Sequence, residues 1–187
     1  MLRIALCDDD PNFMHELHQK IMKWYQESGY SGNISVSEFS DSAYLARTIR
    51  SGSGFDLFVI DIEMPELSGM ELAPQIRTYM PAAIIIFLTS HSEFSLEGYK
   101  FGVLRYIPKL DLDRRLPEAL AAAQEEFSKS ENSFLTVRHY SDVMRIPYQE
   151  IIYVRHVLRS SQIVTLSLGM MKDNRGLKAI HEQLNDN

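Results

Sequence analysis

The fold of this chain is decided by residues 55–69, FDLFVIDIEMPELSG, a short apolar run that ends abruptly in the carboxylate of Asp61. The apolar residues lack helical spacing and lead into a segment containing Pro65 and Gly69, which predicts a strand buried on both faces that enters a loop. Asp61 then lies at the carboxyl end of the strand. In an open parallel sheet, ligands bind at that end.

Three other apolar runs also end in polar residues. They are residues 2–7, before Asp8, Asp9 and Asp10; residues 83–88, before Thr89 and Ser90; and residues 103–107, before Pro108 and Lys109. If these strands run parallel, an acidic cluster, a hydroxyl and a lysine converge around Asp61. This combination is typical of a metal-assisted phosphoryl acceptor.

Electrostatics predicts a divalent cation in this cluster. The carboxylates of Asp8, Asp9 and Asp61 would repel one another and raise some of their own pKa values, and a cation removes that penalty. Hard oxygen ligands that leave room for water and phosphate suit Mg²⁺ better than zinc. Lys109 would add a fixed positive charge, and the Thr89 hydroxyl a hydrogen bond to a phosphoryl oxygen.

The composition is that of a globular chain, with 45% hydrophobic and 24% charged residues among 187. The longest apolar run, residues 82–88, is too short to cross a bilayer, and the first strand begins without a signal-peptide layout, so we expect a cytoplasmic protein without membrane contact. Cys7, the single cysteine, excludes intramolecular disulfides and fits a small core residue.

Charge divides the chain in two. Residues 1–132 carry 12 Lys and Arg against 20 Asp and Glu, a net −8, whereas residues 133–187 carry 7 against 5, a net +2. Any contact with nucleic acid is therefore expected in the second part, although +2 is far below the basic patch of a self-sufficient DNA-binding domain.

Helical periodicity alternates with the strand-like runs. Pro11 opens the first helix with Asp10 as its N-cap, and its predicted inward face consists of Phe13, Leu17, Ile21 and Trp24. A second helix, capped within residues 40–42, runs to about Arg50 with Tyr44, Leu45 and Ile49 inward.

Three further helices follow. One runs from about Met70 to Arg77 with a bend near Pro74, and a short one covers residues 93–100. The last covers residues 111–127, and its regular part is expected to begin at Pro117, which suits a first turn. Its buried stripe is predicted to be Leu112, Leu116, Leu120, Ala123 and Phe127. Five strand–helix alternations predict a parallel sheet covered by helices on both faces.

The polar residues 128–133 lack periodicity and mark a domain boundary. Beyond them, residues 134–138, 142–148, 151–154 and 162–168 read as strands, and residues 175–184 as a closing helix.

Residues 1–128 resemble the receiver domain of two-component response regulators. The resemblance is carried by the acidic pair Asp8 and Asp9, the phosphoacceptor Asp61 followed by Met64-Pro65 and Gly69, Thr89 after the fourth strand, and Lys109 after the fifth. It implies a flavodoxin-like (βα)5 fold. Residues 129–133 are then a linker, and residues 134–187 look like the opening part of a LytTR-type DNA-binding domain, the module found in the LytR/AlgR family; the unit is small, mostly β and incomplete.

The resemblance implies that Asp61 accepts a phosphoryl group from a phosphohistidine of a sensor histidine kinase. Mg²⁺ would be bound by Asp8, Asp9, Asp61 and the backbone carbonyl of Glu63, with Lys109 neutralising charge. The chain would be a regulator with at most intrinsic autophosphorylation and autodephosphorylation, rather than an enzyme.

In such a receiver, Thr89 moves towards the phosphate and Tyr106 rotates inward, although Tyr106 taken alone also fits a half-buried edge aromatic. The face formed by residues 93–100, Arg105 and residues 111–127 would dimerise on phosphorylation. We expect Glu63, Ser90 and His91 to tune autodephosphorylation.

Two features depart from the family pattern. Leu110 stands after Lys109 where the family usually has a proline with a cis bond, so we expect a trans bond, because a cis non-proline bond costs roughly 3 kcal/mol. The 55 residues after position 132 are about half of a complete LytTR-type module. Arg155, His156 and Arg159 fall near an expected DNA-contact loop, but an ordinary solvated turn explains them equally well.

Two alternatives to a DNA-binding regulator remain open. One is a receiver that acts only through protein contacts. The other is a haloacid-dehalogenase-like phosphatase, which also uses an aspartate nucleophile, Mg²⁺, a threonine and a lysine. That family places its nucleophile after the first strand with a second aspartate two residues on, whereas here the equivalent position holds Glu63.

Overall fold

The computed structural model describes residues 1–30, 32–90, 101–132, 134–139 and 142–185. The chain divides into two compact units, Met1–Glu126 and Phe127–Asn187. Each unit has its own sheets and its own core.

The first unit alternates strands and helices. Its elements are β1 (Leu2–Cys7), α1 (Pro11–Glu27), β2 (Ile34–Phe39), α2 (Ser42–Arg50), β3 (Leu57–Asp61), α3 (Gly69–Tyr79), β4 (Ile84–Thr89), β5 (Arg105–Pro108) and α4 (Leu112–Asn132), whose last residues belong to the second unit. A 3-10 turn, Lys109–Asp111, connects β5 to α4. The short helix predicted over residues 93–100 lies outside the described residues.

The five strands form one parallel sheet in the order β2-β1-β3-β4-β5. This order confirms the predicted flavodoxin-like fold, in which the strand order reverses beside β1 and β3. Every residue of β3 is buried, as its unbroken apolar run predicts for a strand covered on both faces. The carboxyl ends of β1, β3, β4 and β5 therefore meet at one edge around Asp61.

The N-terminus of α1 is as predicted, but its buried face is shifted. Asp10 accepts hydrogen bonds from the amides of Asn12 and Phe13, and Pro11 occupies the first turn. The buried residues are Met14, Leu17, Ile21 and Tyr25, so the inward positions predicted for Phe13 and Trp24 are wrong. Tyr25 takes the core position because its ring packs edge-on against Trp24 and Tyr30, with centroids 4.8 and 5.5 Å away.

The prediction for Tyr44 on α2 is also wrong, since its side chain is 55% exposed. Leu45, Ala46 and Ile49 form the buried face of this helix, and the Tyr44 ring lies instead beside Arg47, whose guanidinium is 5.8 Å from the ring centroid. Helical spacing of apolar residues in a sequence does not distinguish an aromatic residue that is buried from one that lies at the edge of the buried face.

Prolines inside two helices show how tertiary packing overrides a local signal. Pro74 lies within α3, and Pro117 lies within α4 rather than at its start. The sequence predicts this helix from residue 111 and it begins at Leu112, but the expectation that its regular part begins only at Pro117 is wrong: α4 is already helical at Leu112 and Leu116, and both side chains are buried. The rest of the predicted stripe is confirmed, since Leu120, Ala123 and Phe127 are buried.

The segment predicted as a linker is helical through Asn132, because residues 127–132 contain neither Gly nor Pro to end α4 after the buried Phe127. Beyond it lie β6 (Phe134–His139), β7 (Asp142–Pro147), β8 (Ile151–Val157), β9 (Ser160–Thr165), β10 (Met170–Asp173) and α5 (Leu177–Asn185). The strands form an antiparallel pair, β6 with β7, and a three-stranded sheet in the order β10-β9-β8. The sequence analysis missed β10, whose four residues follow Gly169.

The second unit has a small apolar core and a buried ion pair. The core consists of Leu135, Val137, Ile146, Ile163 and Ile180. Asp173, fully buried, accepts hydrogen bonds from the amides of Arg138 and Arg175 at 2.9 and 2.8 Å and from the Arg175 guanidinium at 2.7 Å. Because Arg138 lies on β6 and Asp173 on β10, the carboxylate ties the two sheets of this unit together.

Within the described ranges, every helix is too short or too polar to cross a bilayer.

Ser68→Ala will lower the free energy of unfolding of the first unit by about 1 kcal/mol, the usual effect of removing an N-cap. Ser68 caps α3 in a capping box, accepting from the Glu71 amide at 3.3 Å while Glu71 accepts from the Ser68 amide at 2.9 Å. Urea unfolding followed by the fluorescence of Trp24, the single tryptophan, measures the change. Ser53→Ala, in the exposed loop before β3, is the control and should leave the midpoint unchanged.

Asp173→Ala will destabilise the second unit by about 3 kcal/mol, because it removes the buried carboxylate that pairs with Arg175 and accepts from the Arg138 amide. Burial alone would raise the pKa of Asp173, but the hydrogen bonds from Arg175 and from the Arg138 amide outweigh it and hold this pKa below its ordinary value. The stabilisation is therefore complete above about pH 4, the unfolded-state value, and is lost as the pH falls through the folded-state pKa. Urea unfolding followed by far-UV circular dichroism tests this, with exposed Asp142→Ala as the control; equal midpoints for the two variants would contradict the prediction.

Candidate functional site

Asp61 ends the central strand in a buried position, with 2% of its surface exposed. Its Oδ1 accepts a hydrogen bond from the Glu63 amide at 3.3 Å, and its Oδ2 accepts one from Lys109 Nζ at 2.8 Å. Burial raises the pKa of Asp61 above its ordinary value, and the contact with Lys109 offsets only part of that increase. The carboxylate is thus held in a fixed orientation by one amide and one ammonium.

The acidic residues after β1 lie beside Asp61, as the sequence predicts. Asp8 is fully buried, and its Oδ1 accepts from the Asp10 amide at 3.0 Å. Asp9 is exposed. Carboxylate oxygens of Asp8, Asp9 and Asp61 all lie within 4.8 Å of one another. Residues more than fifty positions apart in sequence therefore form one acidic cluster.

Lys109 lies between the two buried carboxylates. Its Nζ is 2.7 Å from Asp8 Oδ2 and 2.8 Å from Asp61 Oδ2. Burial opposes the charged ammonium, but the hydrogen bonds to Asp61 and Asp8 outweigh that effect and raise the pKa of Lys109. Every peptide bond of the described residues is trans, which confirms the expectation for the bond between Lys109 and Leu110.

The donor set fits a hard divalent cation. Three carboxylates share the site with a single ammonium, so their charge is not fully compensated by the protein. All of the candidate ligands are oxygens, and one of the three residues is solvent-exposed, which leaves room for water or a phosphoryl group. Such a set suits Mg²⁺.

The hydroxyl predicted for the site comes from β4. Thr89, 3% exposed, ends this strand and lies in register with Pro108, the residue before Lys109. Ser90 follows it and is exposed. His91, the third residue expected to influence dephosphorylation together with exposed Glu63, lies outside the described residues.

Tyr106 is half-buried on β5, next to Phe87 of β4. The two rings pack edge-on with centroids 5.3 Å apart, and the Tyr106 hydroxyl lies 3.8 Å from the sulfur of Met70 on α3. The ring therefore packs against the core on the α3 side of the sheet.

Gly69 has a role that the sequence analysis did not identify. A Cβ at this position would lie 2.5 Å from the backbone carbonyl oxygen of Asp61, which is closer than atoms can pack. The Gly69 amide also donates to the Ile62 carbonyl at 3.0 Å. The start of α3 can approach the end of β3 only because this residue lacks a side chain. A glycine eight residues after a strand-ending aspartate is the only sequence signal of this contact.

Cys7 lies beside the site but is not reactive. It is buried, its sulfur is 3.5 Å from that of Met64, and burial together with the charge of Asp8 raises the pKa of its thiol to about 12. This confirms its prediction as a core residue.

The basic residues predicted for DNA contact lie in the second unit. Arg155 and His156 are exposed on β8, and Arg159 is exposed in the turn to β9. Arg155 donates to Gln162 Oε1 at 2.9 Å. Arg159 and Lys172 line a surface cavity of about 770 Å³.

Known proteins resemble this chain over most of its length. The transcriptional regulatory protein NatR of Bacillus subtilis is 26% identical over 171 residues, covering 88% of this chain and 68% of NatR. The sensory transduction protein LytR of Staphylococcus epidermidis is 25% identical, covering 96% of this chain and 69% of LytR. The crystal structure of the response regulator TrrA of Thermotoga maritima in complex with Mg²⁺-BeF is 29% identical with a TM-score of 0.54, covering 66% of this chain and 99% of TrrA.

The sequence pattern of one family, the response regulator receiver domain, matches residues 4–121. The match includes most of β1, all of β2 to β5 and each acidic residue of the cluster. It also extends over more than half of the chain, and the sheet order and the strand-end placement of Asp61 and Lys109 agree with it. The chain therefore belongs to the response regulator receiver domain family.

Proposed function

We propose that this chain is a two-component response regulator that accepts a phosphoryl group on Asp61 from a phosphohistidine of a sensor histidine kinase. The observation that carries the proposal is the position of Asp61, a buried carboxylate between Lys109 and two further carboxylates. A buried, oriented carboxylate beside a fixed positive charge is what an in-line attack on phosphorus requires.

In this reaction, a carboxylate oxygen of Asp61 forms a bond to phosphorus while the bond from phosphorus to the donor nitrogen breaks. The Glu63 amide holds Oδ1 in place, and Lys109 donates to the phosphoryl oxygens while remaining charged. Mg²⁺, bound by the carboxylates of Asp8, Asp9 and Asp61 and by the Glu63 carbonyl, would neutralise charge that develops on those oxygens. The Mg²⁺-BeF complex of TrrA supports this assignment.

Phosphorylation would then act on the output surface. Thr89 moves towards the phosphoryl group, and Tyr106 follows into the space that it leaves. Ser90, small and exposed, would leave water a path to the acyl phosphate, and Glu63 and His91 would tune the lifetime of that phosphate. The dimer-forming surface would include Arg105 and α4, where Arg105, Arg114, Arg115 and Glu118 line a groove of about 310 Å³ with charges of both signs.

The output would be transcriptional. We assign residues 1–128 to the receiver, 129–133 to a linker and 134–187 to a partial LytTR-type domain in which Arg155, His156 and Arg159 contact DNA. The alignments with NatR and LytR cover 88% and 96% of this chain, so both extend past residue 128. This similarity supports a transcriptional output. All three side chains are exposed, as contact with a phosphate backbone requires.

One observation favours output through protein contact instead. Large apolar side chains are exposed in the second unit, among them Ile152 (55%), Leu158 (90%) and Leu166 (70%). Such side chains suit a protein surface better than a DNA backbone. The phosphatase alternative lacks comparable support, because the chain belongs to the receiver family.

Asp61→Asn will abolish phosphorylation by acetyl phosphate in the presence of Mg²⁺, whereas the unchanged chain will take up one phosphoryl group. Intact mass and peptide mapping measure the stoichiometry and the site. Glu66→Gln, in the same loop and exposed, is the matched control and should behave as the unchanged chain does. Phosphate on another residue would contradict the assignment, and repeated turnover of a phosphomonoester would favour the phosphatase.

Arg159→Ala will weaken DNA binding by the phosphorylated full chain about threefold to tenfold and will reduce its dependence on salt concentration, because one phosphate contact is lost. Fluorescence anisotropy with labelled duplex DNA at several salt concentrations measures both effects. Lys178→Ala removes another exposed positive charge, from α5, and serves as the control. Equal losses in the two variants would indicate a general charge effect and would favour output by protein contact.

A further inference from the structure

Phe13, predicted for the core, lies instead beside the phosphoacceptor site. It is half-buried in the first turn of α1, and Lys109 Nζ lies over its ring, 4.5 Å from the centroid. An ammonium within about 6 Å of an aromatic face is attracted by the negative face of the ring. Phe13 is therefore a third partner of Lys109, in addition to Asp8 and Asp61.

The position of Phe13 is fixed through the same loop that carries the acidic pair. Asp10 Oδ1 accepts from the Phe13 amide at 3.3 Å and from the Asn12 amide at 2.9 Å, which sets the start of α1. The Asp10 amide donates in turn to Asp8 at 3.0 Å, and Asp8 contacts Lys109 at 2.7 Å. These contacts connect Asp8 to Asp10, Asp10 to Phe13 and Phe13 to Lys109, and Lys109 in turn contacts Asp8.

The residues next to Lys109 in the chain do little to restrict its side chain. It occupies a three-residue 3-10 turn, and the next residue, Leu110, is 96% exposed and packs against almost nothing. A lysine side chain has four flexible carbons, so its ammonium is well placed only if other groups restrict it. Two carboxylates attract it, and the ring of Phe13 supplies a surface that restricts it further.

The ring differs from the carboxylates in one chemical respect. When Asp61 forms its bond to phosphorus, the oxygen that joins phosphorus ceases to be a carboxylate oxygen, so the contact between Asp61 and Lys109 changes during the reaction. The ring of Phe13 takes no part in the bond changes. The ring therefore presents the same face to the ammonium before and after transfer.

We propose that Phe13 is a positioning residue, whose ring face holds the Lys109 ammonium where it can meet the incoming phosphoryl group. The inference rests on the proposed function of Asp61 and adds to it a residue that acts through Lys109. With acetyl phosphate as donor, the bond from Asp61 to phosphorus forms as the donor's phosphorus–oxygen bond breaks and acetate leaves with the electron pair. Lys109 keeps its proton throughout.

The test compares Phe13→Leu with Phe13→Trp in the full chain, using acetyl phosphate and Mg²⁺. The leucine variant keeps an apolar side chain but lacks a π face, and its phosphorylation rate constant should fall about threefold to tenfold. The tryptophan variant keeps the face and should retain most of the rate. Thermal midpoints of both variants, measured in parallel, show whether a change in rate follows a change in stability.

Two controls separate positioning from a general loss of packing. Phe55→Leu removes a half-buried aromatic ring at the opposite end of β3 and should leave the rate unchanged. In a Lys109→Met background, Phe13→Leu should have no further effect on the rate, because the group that it positions is gone.

Equal rates for Phe13→Leu and the unchanged chain would overturn the inference, as would an undiminished effect of Phe13→Leu in the Lys109→Met background. Equal losses in the leucine and tryptophan variants would also overturn it, because they would indicate packing rather than attraction to the ring. If instead the unchanged chain accepts no phosphoryl group on Asp61, it is the proposed function that fails.

Discussion

The two buried carboxylates of Asp8 and Asp61 need a shared cation, and the rest of the first unit is arranged to supply it. Burying one unpaired carboxylate costs several kcal/mol, and burying two close together adds their mutual repulsion. The ammonium of Lys109, 2.7 and 2.8 Å from their oxygens, offsets both penalties. A single positive charge does not balance three carboxylates, so the site keeps a residual attraction for a further cation.

The five-stranded sheet and the polar residues at the carboxyl ends of its strands could be predicted from the amino-acid sequence alone. An apolar run of strand length that lacks helical periodicity and ends in a carboxylate has few structural solutions, and β3 is the expected one. Because the strands are parallel, their carboxyl ends lie at the same edge of the sheet. The residues that follow or end these strands, Asp8, Asp61, Thr89 and Lys109, are therefore brought to that edge. The prediction succeeds because strand ends are set by local sequence and their convergence by topology.

The errors concern choices that only packing decides. Phe13 and Met14 are adjacent apolar residues on α1, and the structure buries Met14 in the core whereas the Phe13 ring contacts Lys109. Pro117 carries a strong local signal for a helix start, but the burial of Leu112 and Leu116 overrides it. The close approach of Gly69 to the Asp61 carbonyl cannot be predicted from sequence periodicity, since a glycine at the start of a helix has many explanations.

The order of the strands has a consequence during synthesis. Lys109 comes from β5, the last strand of the sheet and the one at its edge, whereas Asp8 comes from the first strand made. A nascent chain that has emerged only as far as β4 would hold Asp8 and Asp61 together without their counterion. Long-range pairings of this kind form late because loop closure must precede them. The pair of buried carboxylates therefore gains its counterion only when the whole five-stranded domain has been synthesised.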